Sequence, residues 1–587
     1  MTAIKSLLVA NRGEIAVRII RAARELGVRT VAIHSDADAG ARWVRLADEA
    51  RRIGPAPVRQ SYLDSAAVIG AAVESGCDAV HPGYGLLSES AAFAQAVLDA
   101  GLRFVGPSPA AIGAMGDKVT ARHAATAADV PVLPGSEGAV ADLAQARAAA
   151  ERVGWPVAVK ASFGGGGRGL RIARDAAALE EALTQARGEA GAAFGRDEVF
   201  IERYLDRPRH VEVQVLGDSA GNIIHLGDRD CTVQRRHQKL MEEAPAPALP
   251  PELRAAMHDA ALRLCRHVGY HSAGTVEFLI DRAGRDFFFL EMNTRLQVEH
   301  GVTELVTGVD LVTAQIAIAG GAPLPLTQEQ VTIRGHAVQA RIAAEDAGQG
   351  FRPVPGPISR LRLPSGPWLR LDFGVDEGDQ VPPHYDSMFG KVQAWGRDRD
   401  EARRRLAVAL GELEVGGVPT TAAYLARLVE EPAFAAVEHD TGSVERDWCP
   451  APVPAFETAA AATVVTTVRE VIVPWGGRDS VVAIHRGAAL PGTAALTRNR
   501  SDRSEAAVAT TAGSSGGITA PMDALVARVA VVSGQQVAQG EELLVLEAMK
   551  MEMPITAPRA GRVAVLPAAA GQAVKAGTVL VTMEQDA

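Results

Sequence analysis

The sequence predicts a multidomain chain of α/β and α+β character that ends in a small all-β domain. Strand-like and helix-like segments alternate through residues 1–115, and a mixed pattern with a glycine-rich insert at 163–169 follows. The last stretch of the chain contains an internal repeat with an offset of 37 residues. At 587 residues the chain has room for about three to five domains.

The composition excludes several classes of protein. Hydrophobic residues make up 47% and charged residues 22%, which argues against a disordered, collagen-like or coiled-coil chain. The net charge of −10 disfavours a nucleic-acid binder held by bulk positive charge. No apolar run approaches the roughly 18–20 residues of a membrane span, no secretion signal is evident at the start, and the four cysteines lack metal-ligand spacing. We therefore expect a reduced, cytoplasmic protein with neither a nucleic-acid nor a membrane partner.

The basic residues are strongly biased toward arginine. Of 60 Lys and Arg residues only seven are lysines: Lys5, Lys118, Lys160, Lys239, Lys391, Lys550 and Lys575. A lysine supplies a compact point charge or a nucleophilic amine that arginine does not. Codon bias is the alternative explanation, but lysines that also lie in motifs are candidates for function.

The first region, 1–115, predicts parallel βαβ units. Strands are expected at 6–10, 28–34, 77–81 and 102–106, with a helix over 12–26 that ends at Gly27. The ligand crevice of such a sheet lies beyond the carboxyl ends of its strands. The segments that begin at Asn11 (Asn-Arg-Gly-Glu) and His81 (His-Pro-Gly-Tyr-Gly) should therefore line it.

The remaining boundaries follow changes of pattern. We expect an α+β domain over 116–330 and another over 331–445, with strands near 358–363 and a helix from about 400 to 412. Residues 446–515 are rich in Pro and Ala and end in a flexible tether at 510–517. Strand-like runs at 464–473 and 480–485 predict a small β element within that linker, a candidate docking region for a partner subunit.

The C-terminal region, 516–587, is built from two similar halves. Thr519-Ala-Pro recurs at Thr556, and Gly534 recurs at Gly571 with the same offset. Each half is too small to bury its own apolar face, so the two should pack into one flattened β barrel. Lys550 lies between the halves, which predicts a position at an exposed hairpin tip.

The segment Ala548-Met-Lys550-Met resembles the lysine motif of the biotin carboxyl carrier domain. The related lipoyl domain usually has an Asp-Lys-Ala context, which is absent here. The resemblance implies that a biotin protein ligase attaches biotin to Lys550, and a tethered group reacts at a high effective concentration. An unmodified surface lysine is the alternative.

A second motif, Val-Ala-Val-Lys160-Ala-Ser-Phe followed by four glycines, predicts a phosphate-binding loop. Consecutive glycines let backbone N–H groups approach phosphate oxygens. The glycines follow the lysine, so this is neither a P-loop nor a dinucleotide-binding turn. A flexible surface loop is the alternative, but with Lys118 upstream the motif resembles the ATP-grasp fold, in which the loop sits on a mobile lid, here about 133–203.

Carboxylates and amides follow this loop. Glu277, Glu291 and Asn293 are placed by the pattern at strand ends, and their hard oxygen atoms suit Mg²⁺. From Asn293 to Glu299 every second residue is polar, so an extended chain would present Asn293, Arg295, Gln297 and Glu299 on one side. Such a row is able to hold a small oxyanion beside a base.

With the segment 229–239 and Glu242-Glu-Ala-Pro, these motifs closely resemble the biotin carboxylase family over residues 1–445. In that family ATP phosphorylates bicarbonate to carboxyphosphate, which breaks down and carboxylates the ureido nitrogen of biotin. The fold implied is a biotin carboxylase N-terminal βαβ domain, an ATP-grasp domain with a Gly-rich lid, and a C-terminal α+β domain. The lipoyl-like biotinyl domain completes it.

The resemblance also assigns residues to roles. ATP would contact Lys118, Lys160, Gly164, Gly165, Gly166, Gly167, Arg168, Gly169, Glu202, Leu205, His210, Gln234, His237, Glu277 and Glu291. Mg²⁺ or Mn²⁺ would be held by Glu277, Glu291 and Asn293. Bicarbonate would be held by Lys239, Arg295, Gln297 and the Val298 backbone, Glu299 would deprotonate it, and Arg341 would stabilise the biotin enolate. The chain departs from the family at Leu86, Gly301 and His384.

No segment resembles a carboxyltransferase. We therefore expect the α subunit of a multisubunit acyl-CoA carboxylase, whose separate β subunit transfers the carboxyl group to acetyl-CoA or propionyl-CoA. Family precedent implies a homodimer or a higher oligomer, up to six α with six β subunits. Two alternatives remain open from the sequence: a subunit of a pyruvate or urea carboxylase, and a non-enzymatic carrier with a degenerate ATP-grasp domain.

Overall fold

The structure is a computed structural model that describes residues 3–162, 170–194, 196–449, 468–475, 478–485, 517–520, 524–548, 551–575 and 577–584. The chain divides into two compact units, residues 1–453 and 454–587. The first unit contains the three regions that resemble biotin carboxylase. The second contains the small hairpin and the two-half β domain.

The first region is a five-stranded sheet flanked by helices, as predicted. Its strand order is β3-β2-β1-β4-β5, and all of its pairings are parallel. The elements are β1 (Ser6–Val9), α1 (Gly13–Glu25), β2 (Arg29–Ser35), α2 (Arg42–Leu46), β3 (Glu49–Gly54), α3 (Ser65–Glu74), β4 (Ala79–His81), α4 (Ala91–Asp99), β5 (Arg103–Phe104) and α5 (Pro109–Gly116).

This sheet is buried on both faces. Leu7 and Val9 of β1 pack in one hydrophobic core, whereas Leu8 and Ala10 pack in another on the opposite face. The edge strand β3 was not predicted, because its charged sequence lacks the apolar run of a buried strand. At the carboxyl edge the amide of Asn11 donates to the carbonyls of Pro82 (2.6 Å) and Tyr84 (2.8 Å), so the two predicted crevice loops do lie together.

The predicted lid has a hydrophobic core of its own. A three-stranded sheet of order β7-β6-β8 packs against two helices, and Val157, Val159 and Ile201 are among the buried residues between them. Lys160 lies on β6, as the motif predicts, and Glu202 lies on β8. The elements of this part are α6 (Lys118–Ala127), α7 (Leu143–Val153), β6 (Val157–Ala161), β7 (Leu170–Ala173), α8 (Leu179–Phe194) and β8 (Val199–Arg203).

One eight-stranded sheet, of order β15-β14-β9-β10-β13-β16-β23-β21, continues across the expected boundary at 330/331. Strands β13 and β16 join its two parts in antiparallel register. The strands of its first half are β9 (Arg209–Gly217), β10 (Ile223–Asp230), β13 (Met241–Ala244), β14 (Ser272–Ile280) and β15 (Phe287–Asn293). The helices of this part are α9 (Pro251–His267), α10 (His300–Thr307) and α11 (Leu311–Ala319), and β11 (Gln234–Arg235) and β12 (Gln238–Lys239) pair as a separate two-stranded sheet.

The rest of the first unit supplies the other strands of that sheet and a group of short elements. The predicted helix near 400–412 is present as α12, and the predicted strand near 358–363 is β20. The elements are β16 (His336–Ala343), β17 (Glu345–Asp346), β18 (Arg352–Pro353), β19 (Gly356–Pro357), β20 (Arg360–Arg362), β21 (Leu369–Phe373), β22 (Gln380–Val381), β23 (Met388–Gly396), α12 (Arg399–Glu412), β24 (Glu414–Gly416), α13 (Ala422–Leu428), α14 (Pro432–Ala435) and α15 (Ser443–Arg446).

The strand-like runs in the predicted linker form an antiparallel hairpin. Strand β25 (Val468–Trp475) pairs with β26 (Arg478–His485) along its whole length. The predicted tether at 510–517 lies, except for Gly517, outside the described residues.

The C-terminal domain consists of two four-stranded sheets that are related by the sequence repeat. Their orders are β27-β34-β32-β29 and β31-β30-β28-β33, and an offset of 37 residues maps each strand of one onto its counterpart in the other. Val526 and Val563, which occupy equivalent positions, share one core. The strands are β27 (Gly517–Thr519), β28 (Ala524–Val529), β29 (Gln536–Val537), β30 (Glu542–Ala548), β31 (Met551–Thr556), β32 (Gly561–Val565), β33 (Ala573–Val574) and β34 (Val579–Met583).

Among the described residues, no single helix is both long and apolar enough to cross a membrane. One bent pair of helices, α10 and α11, passes the same test by length and composition only.

Candidate active site

The site is built on a row of charged side chains across four neighbouring strands. In the antiparallel register Glu291 on β15 lies opposite Glu277 on β14, Glu277 opposite Glu212 on β9, and Glu212 opposite Arg229 on β10. Directly opposed residues point to the same face of a sheet, so this row lines one surface. Glu277 lies in the interior of β14, not at the strand end that the pattern predicted.

Lys239 is the centre of this surface. Its ammonium group donates to Glu212 (2.7 Å), Glu277 (2.8 Å) and Glu299 (2.7 Å), and reaches the amide oxygen of Gln297 at 3.3 Å. Burial alone lowers the pKa of Lys239, but the surrounding carboxylates outweigh it and hold that pKa well above its usual range. Lys239 therefore stays protonated and places a positive charge in the pocket.

Glu299 is clamped between two cations. One carboxylate oxygen accepts from Lys239, and the other accepts from Arg341 at 3.0 Å. Burial alone raises the pKa of Glu299, but attraction to Lys239 and Arg341 reverses this shift and places the pKa well below its usual range. Arg341 is itself fixed by Glu242 at 2.5 Å. The clamp keeps Glu299 ionised at neutral pH.

The segment from Asn293 to Glu299 forms the predicted polar row, although it is not a strand beyond Asn293. The side chains of Asn293 and Gln297 both donate to Glu277, at 2.8 and 3.0 Å. The carbonyl of Val298 accepts from Lys391 at 2.8 Å. The polar row forms because Asn293, Gln297 and Glu299 contact Glu277 or Lys239, and not because the segment is an extended strand.

Arg295 takes a different set of partners. Its guanidinium donates to Glu89 (2.9 Å), to Asn293 (2.8 Å) and to the carbonyl of Leu296 (3.3 Å). Burial opposes the charge of Arg295, but the attraction of Glu89 and, more weakly, of Glu299 and Glu277 raises its pKa. Arg295 thus lies beside the pocket and joins it to the first region of the chain.

Positively charged side chains also lie among the residues predicted to contact the nucleotide. Glu202 pairs with Lys160 and, at 2.5 Å, with Arg122. Burial lowers the pKa of Lys118, with Glu291 opposing this shift and Lys160 adding to it. Since these side chains act on each other electrostatically, Lys118 and Lys160 present two neighbouring positive charges.

The remaining predicted nucleotide residues are His210, Gln234, His237 and Leu205. His210 pairs with Glu277 at 3.0 Å, and Gln234 lies opposite Lys239 across the β11–β12 pair. Burial, with smaller contributions from Lys160, His210 and Lys118, lowers the pKa of His237, and Glu445 opposes the shift. Leu205 is half-buried just after β8.

Two predicted features fall on residues that the structure does not describe. The glycine-rich loop, 164–169 with Arg168, is one of them, and Lys550 is the other. Strands β30 and β31 are described on either side of Lys550, and their register pairs Ala548 with Met551.

The donor set suits a hard divalent cation. Glu277 and Glu291 oppose each other, and the pKa of Glu291 is raised first by burial and then by the charge of Glu277. Glu277 is buried and Glu291 is half-buried, and two such carboxylates whose repulsion is incompletely offset favour a divalent cation between them. His210, Glu212 and Glu277 also lie close enough to share an ion, as do Glu212, Cys231 and Glu299.

Several side chains of the site were not predicted from the sequence. Arg229 is completely buried and donates to Glu212 (2.5 Å), to Gln214 (2.6 Å) and to two threonines. The alternation of polar and apolar residues along β9 places Glu212 and Gln214 on the face of His210, which was an available signal. Glu89, which comes from a different region of the chain, had no such signal.

Gly301, one of the departures from the family, fits closely against a neighbouring side chain. Helix α10 begins at His300, and a Cβ added to Gly301 would lie 1.9 Å from Oε1 of Gln393. Gln393 is completely buried and donates to Asp372 at 2.9 Å, so it has little freedom to move. The absence of a side chain at 301 thus accommodates Gln393.

We expect Gly301→Ala to lower the free energy of unfolding by about 1–3 kcal/mol, the usual effect of overpacking a core. Denaturant unfolding monitored by circular dichroism measures this change. Gly411→Ala on α12 is the control, since nothing lies within 4 Å of its added Cβ. Gln393→Ala should recover stability in the Gly301→Ala background; additive losses would contradict the steric explanation.

Family models match most of the chain. The biotin carboxylase N-terminal domain matches residues 3–112, the ATP-binding domain of the carbamoyl-phosphate synthase L chain matches 117–327, and the biotin carboxylase C-terminal domain matches 339–446. A model described as "biotin-requiring enzyme" matches residues 515–583.

The chain is also similar to individual proteins. It is 45% identical to the biotin-dependent acyl-coenzyme A carboxylase α3 subunit of Mycobacterium leprae, over 98% of each chain. Campylobacter jejuni biotin carboxylase, solved as a β,γ-ATP complex, is 44% identical with a TM-score of 0.74, over 76% of this chain and 99% of that one. The biotin carboxylase domain of Hydrogenobacter thermophilus 2-oxoglutarate carboxylase, solved with MgADP and bicarbonate, is 43% identical with a TM-score of 0.74, over 76% and 98%.

These matches agree in order with the predicted regions and with the charged pocket on the eight-stranded sheet. The chain belongs to the family of biotin-dependent acyl-CoA carboxylase α subunits: it is an ATP-dependent ligase in which biotin carboxylase domains are joined to a C-terminal biotinyl domain.

Proposed function

We propose that this chain uses ATP and bicarbonate to carboxylate biotin carried on its own Lys550, with Glu299 as the base. The observation that carries the proposal is the clamp of Glu299 between Lys239 and Arg341. The clamp holds an ionised carboxylate beside fixed positive charges, which is the arrangement needed to bind a small anion and to remove its proton.

Lys239, Arg295, Gln297 and the Val298 backbone are proposed to hold bicarbonate, the anion present in the solved structure of the Hydrogenobacter thermophilus relative. Bicarbonate would compete with Glu299 for the ammonium group of Lys239. Once Lys239 turns to the substrate, Glu299 loses part of the attraction that lowers its pKa. Its basicity therefore rises when the proton has to be removed.

ATP is proposed to lie with its phosphates near Lys118, Lys160, His210 and His237, under the 164–169 loop. A bicarbonate oxygen attacks the γ-phosphorus, ADP leaves, and the carboxyphosphate that forms divides into CO₂ and phosphate. Positive side chains counter the charge on the transferring group. Glu202, Leu205, Gln234, Glu277 and Glu291 complete the proposed nucleotide contacts.

The metal residues are proposed to be Glu277, Glu291 and Asn293, because the directly opposed carboxylate pair fits a hard cation. When bound, Mg²⁺ or Mn²⁺ supplies positive charge to the nucleotide phosphates. Lys239, Asn293 and Gln297 all donate to one oxygen of Glu277.

We expect Glu291→Gln to weaken Mn²⁺ binding in the presence of ADP by at least about 10–100-fold, since even groups one shell further out have effects of this size. Electron paramagnetic resonance of free Mn²⁺ measures the affinity directly. Glu252→Gln, an exposed position on α9, is the control. Unchanged Mn²⁺ affinity in the Glu291 variant would remove this residue from the metal site.

The carrier is proposed to be residues 516–587. Strands β30 and β31, which precede and follow Lys550 in the sequence, pair with each other. When attached, biotin supplies a ureido nitrogen that accepts the carboxyl group. Arg341 would supply positive charge to the ureido oxygen.

The family implies a carboxyltransferase partner, and we propose that this separate β subunit determines whether acetyl-CoA or propionyl-CoA is the acceptor. The hairpin of β25 and β26 lies in the proposed docking region, 446–515. We further propose domain boundaries near residues 115, 330 and 445, with the biotin carboxylase lid at about 133–203. A biotin protein ligase is proposed to attach the biotin. The chain is proposed to form a homodimer or an assembly of six α with six β subunits.

ATP cleavage by the purified full-length chain, measured with free biotin and with bicarbonate added or withheld, tests the proposal. We expect ADP formation to depend on both bicarbonate and divalent metal. ADP formation of equal rate without bicarbonate would overturn the proposal.

A further inference from the structure

Lys391 is a buried lysine to which the proposed mechanism gives no role. It is one of only seven lysines in a chain that otherwise uses arginine, and alone among the described lysines it is completely buried. Removing an ammonium group from water is costly unless partners compensate for it. The identity of those partners shows what the buried charge does.

The ammonium group of Lys391 joins three separate parts of the first unit. It lies 3.0 Å from a carboxylate oxygen of Glu14, at the start of α1, and 3.9 Å from Asp372 on β21. It donates to the backbone carbonyl of Val298 at 2.8 Å. The Val298 carbonyl belongs to the peptide that leads directly into Glu299.

The strand register explains why this contact matters. On β16 and β23, Arg341 lies directly opposite Lys391. Two positive side chains in opposed positions repel each other and are normally unfavourable. Here they hold the same short segment at two points: Arg341 holds the carboxylate of Glu299, and Lys391 holds the backbone immediately before it.

Glu14 and Tyr84 anchor Lys391 from the other side. Glu14 is buried, and the Lys391 ammonium and the Tyr84 hydroxyl meet at one of its carboxylate oxygens. Within the described residues its second oxygen has no hydrogen-bond partner, so the carboxylate is held only on the side of Lys391. The crevice loops of the first region therefore connect to the Val298–Glu299 peptide through one ion pair.

We propose that Lys391, supported by Glu14, is a positioning residue that fixes the Val298–Glu299 peptide so that bicarbonate meets both the Val298 backbone and the Glu299 carboxylate. This inference rests on the proposed function, because it assigns those two groups to bicarbonate. Lys391 itself touches the peptide and no reacting atom.

Lys391→Met in the full-length chain should raise KM for bicarbonate and lower kcat/KM for bicarbonate by about 100-fold, the scale expected for a misplacement of about 1 Å at a reacting group. KM for ATP should stay unchanged, since Lys391 contacts none of the nucleotide residues. A merely structural lysine would instead reduce the fraction of active protein and leave both KM values unchanged. That result would overturn the inference.

Two further variants complete the test. Lys391→Met/Glu14→Gln removes both buried charges, which folded proteins usually tolerate better than one unpaired charge, and should show the same rise in KM for bicarbonate. Arg18→Met removes another buried cation, paired with Glu304 at 3.1 Å, and should lower the melting temperature without changing that KM. A folded double variant with wild-type bicarbonate kinetics would refute the role of Lys391. Absence of bicarbonate-dependent ATP cleavage in the wild type would instead refute the proposed function.

Discussion

Lys550→Arg should abolish attachment of biotin and all carboxylation of the chain, while ATP cleavage with free biotin continues at the wild-type rate. Attachment requires an uncharged amine as nucleophile, and an arginine guanidinium stays protonated in proteins. The pocket around Lys239 and Glu299 lies in the first compact unit, which the substitution leaves intact. The substitution thus separates the carrier function from the ligase chemistry in one chain.

Intact-mass analysis of protein produced with an active biotin ligase measures the adduct, and ¹⁴C-bicarbonate measures transfer to the chain. Lys575→Arg is a matched control, because Lys575 is the only other lysine in residues 516–587. We expect one biotin adduct in the wild type and in this control, and none in Lys550→Arg. An adduct that persists in Lys550→Arg would place the attachment site elsewhere.

Prediction of the fold from the sequence was most accurate where a local sequence pattern determines the structure. The two halves of the C-terminal domain were predicted from a 37-residue repeat, and the two sheets follow that repeat strand by strand. Strands β1 and β2 were predicted because both are short apolar runs bounded by helix and turn residues. Strand β3 was not, since its charges hide an edge strand.

The sequence predicted which residues belong to the site, but it did not predict which of these side chains pair with each other. Residue types and spacing placed Lys239, Glu277 and Glu299 in the pocket, largely through a family resemblance. No periodicity indicates that Arg295 pairs with Glu89, or that Lys391 pairs with Glu14. Such pairs join strands and loops that are far apart in the chain, so only the folded sheet order brings them together.

Glu299→Gln should reduce bicarbonate-dependent ATP cleavage by about 10²–10⁴-fold, the usual contribution of a positioned base. Glutamine has nearly the same shape and still offers Lys239 an oxygen, but it accepts no proton and leaves Lys239 and Arg341 without the charge between them. Binding of ATP should change little, because the pair of Lys160 and Glu202 is untouched. Stopped-time assays of ADP release and a fluorescent nucleotide titration measure the two effects.

The pH profile gives this prediction a second, independent readout. The free-protein pKa of Glu299 is lowered despite burial, by Lys239 and Arg341. Wild-type kcat/KM for bicarbonate, calculated on the concentration of the bicarbonate ion itself, should therefore show no loss from Glu299 within the usual pKa range of a glutamate. Glu304→Gln is the control: this buried carboxylate, five residues further on, binds Arg18 and Arg370 and should affect stability alone. If Glu299→Gln instead kept wild-type turnover, a different group would have to take the bicarbonate proton, and the clamp would serve only to bind the anion.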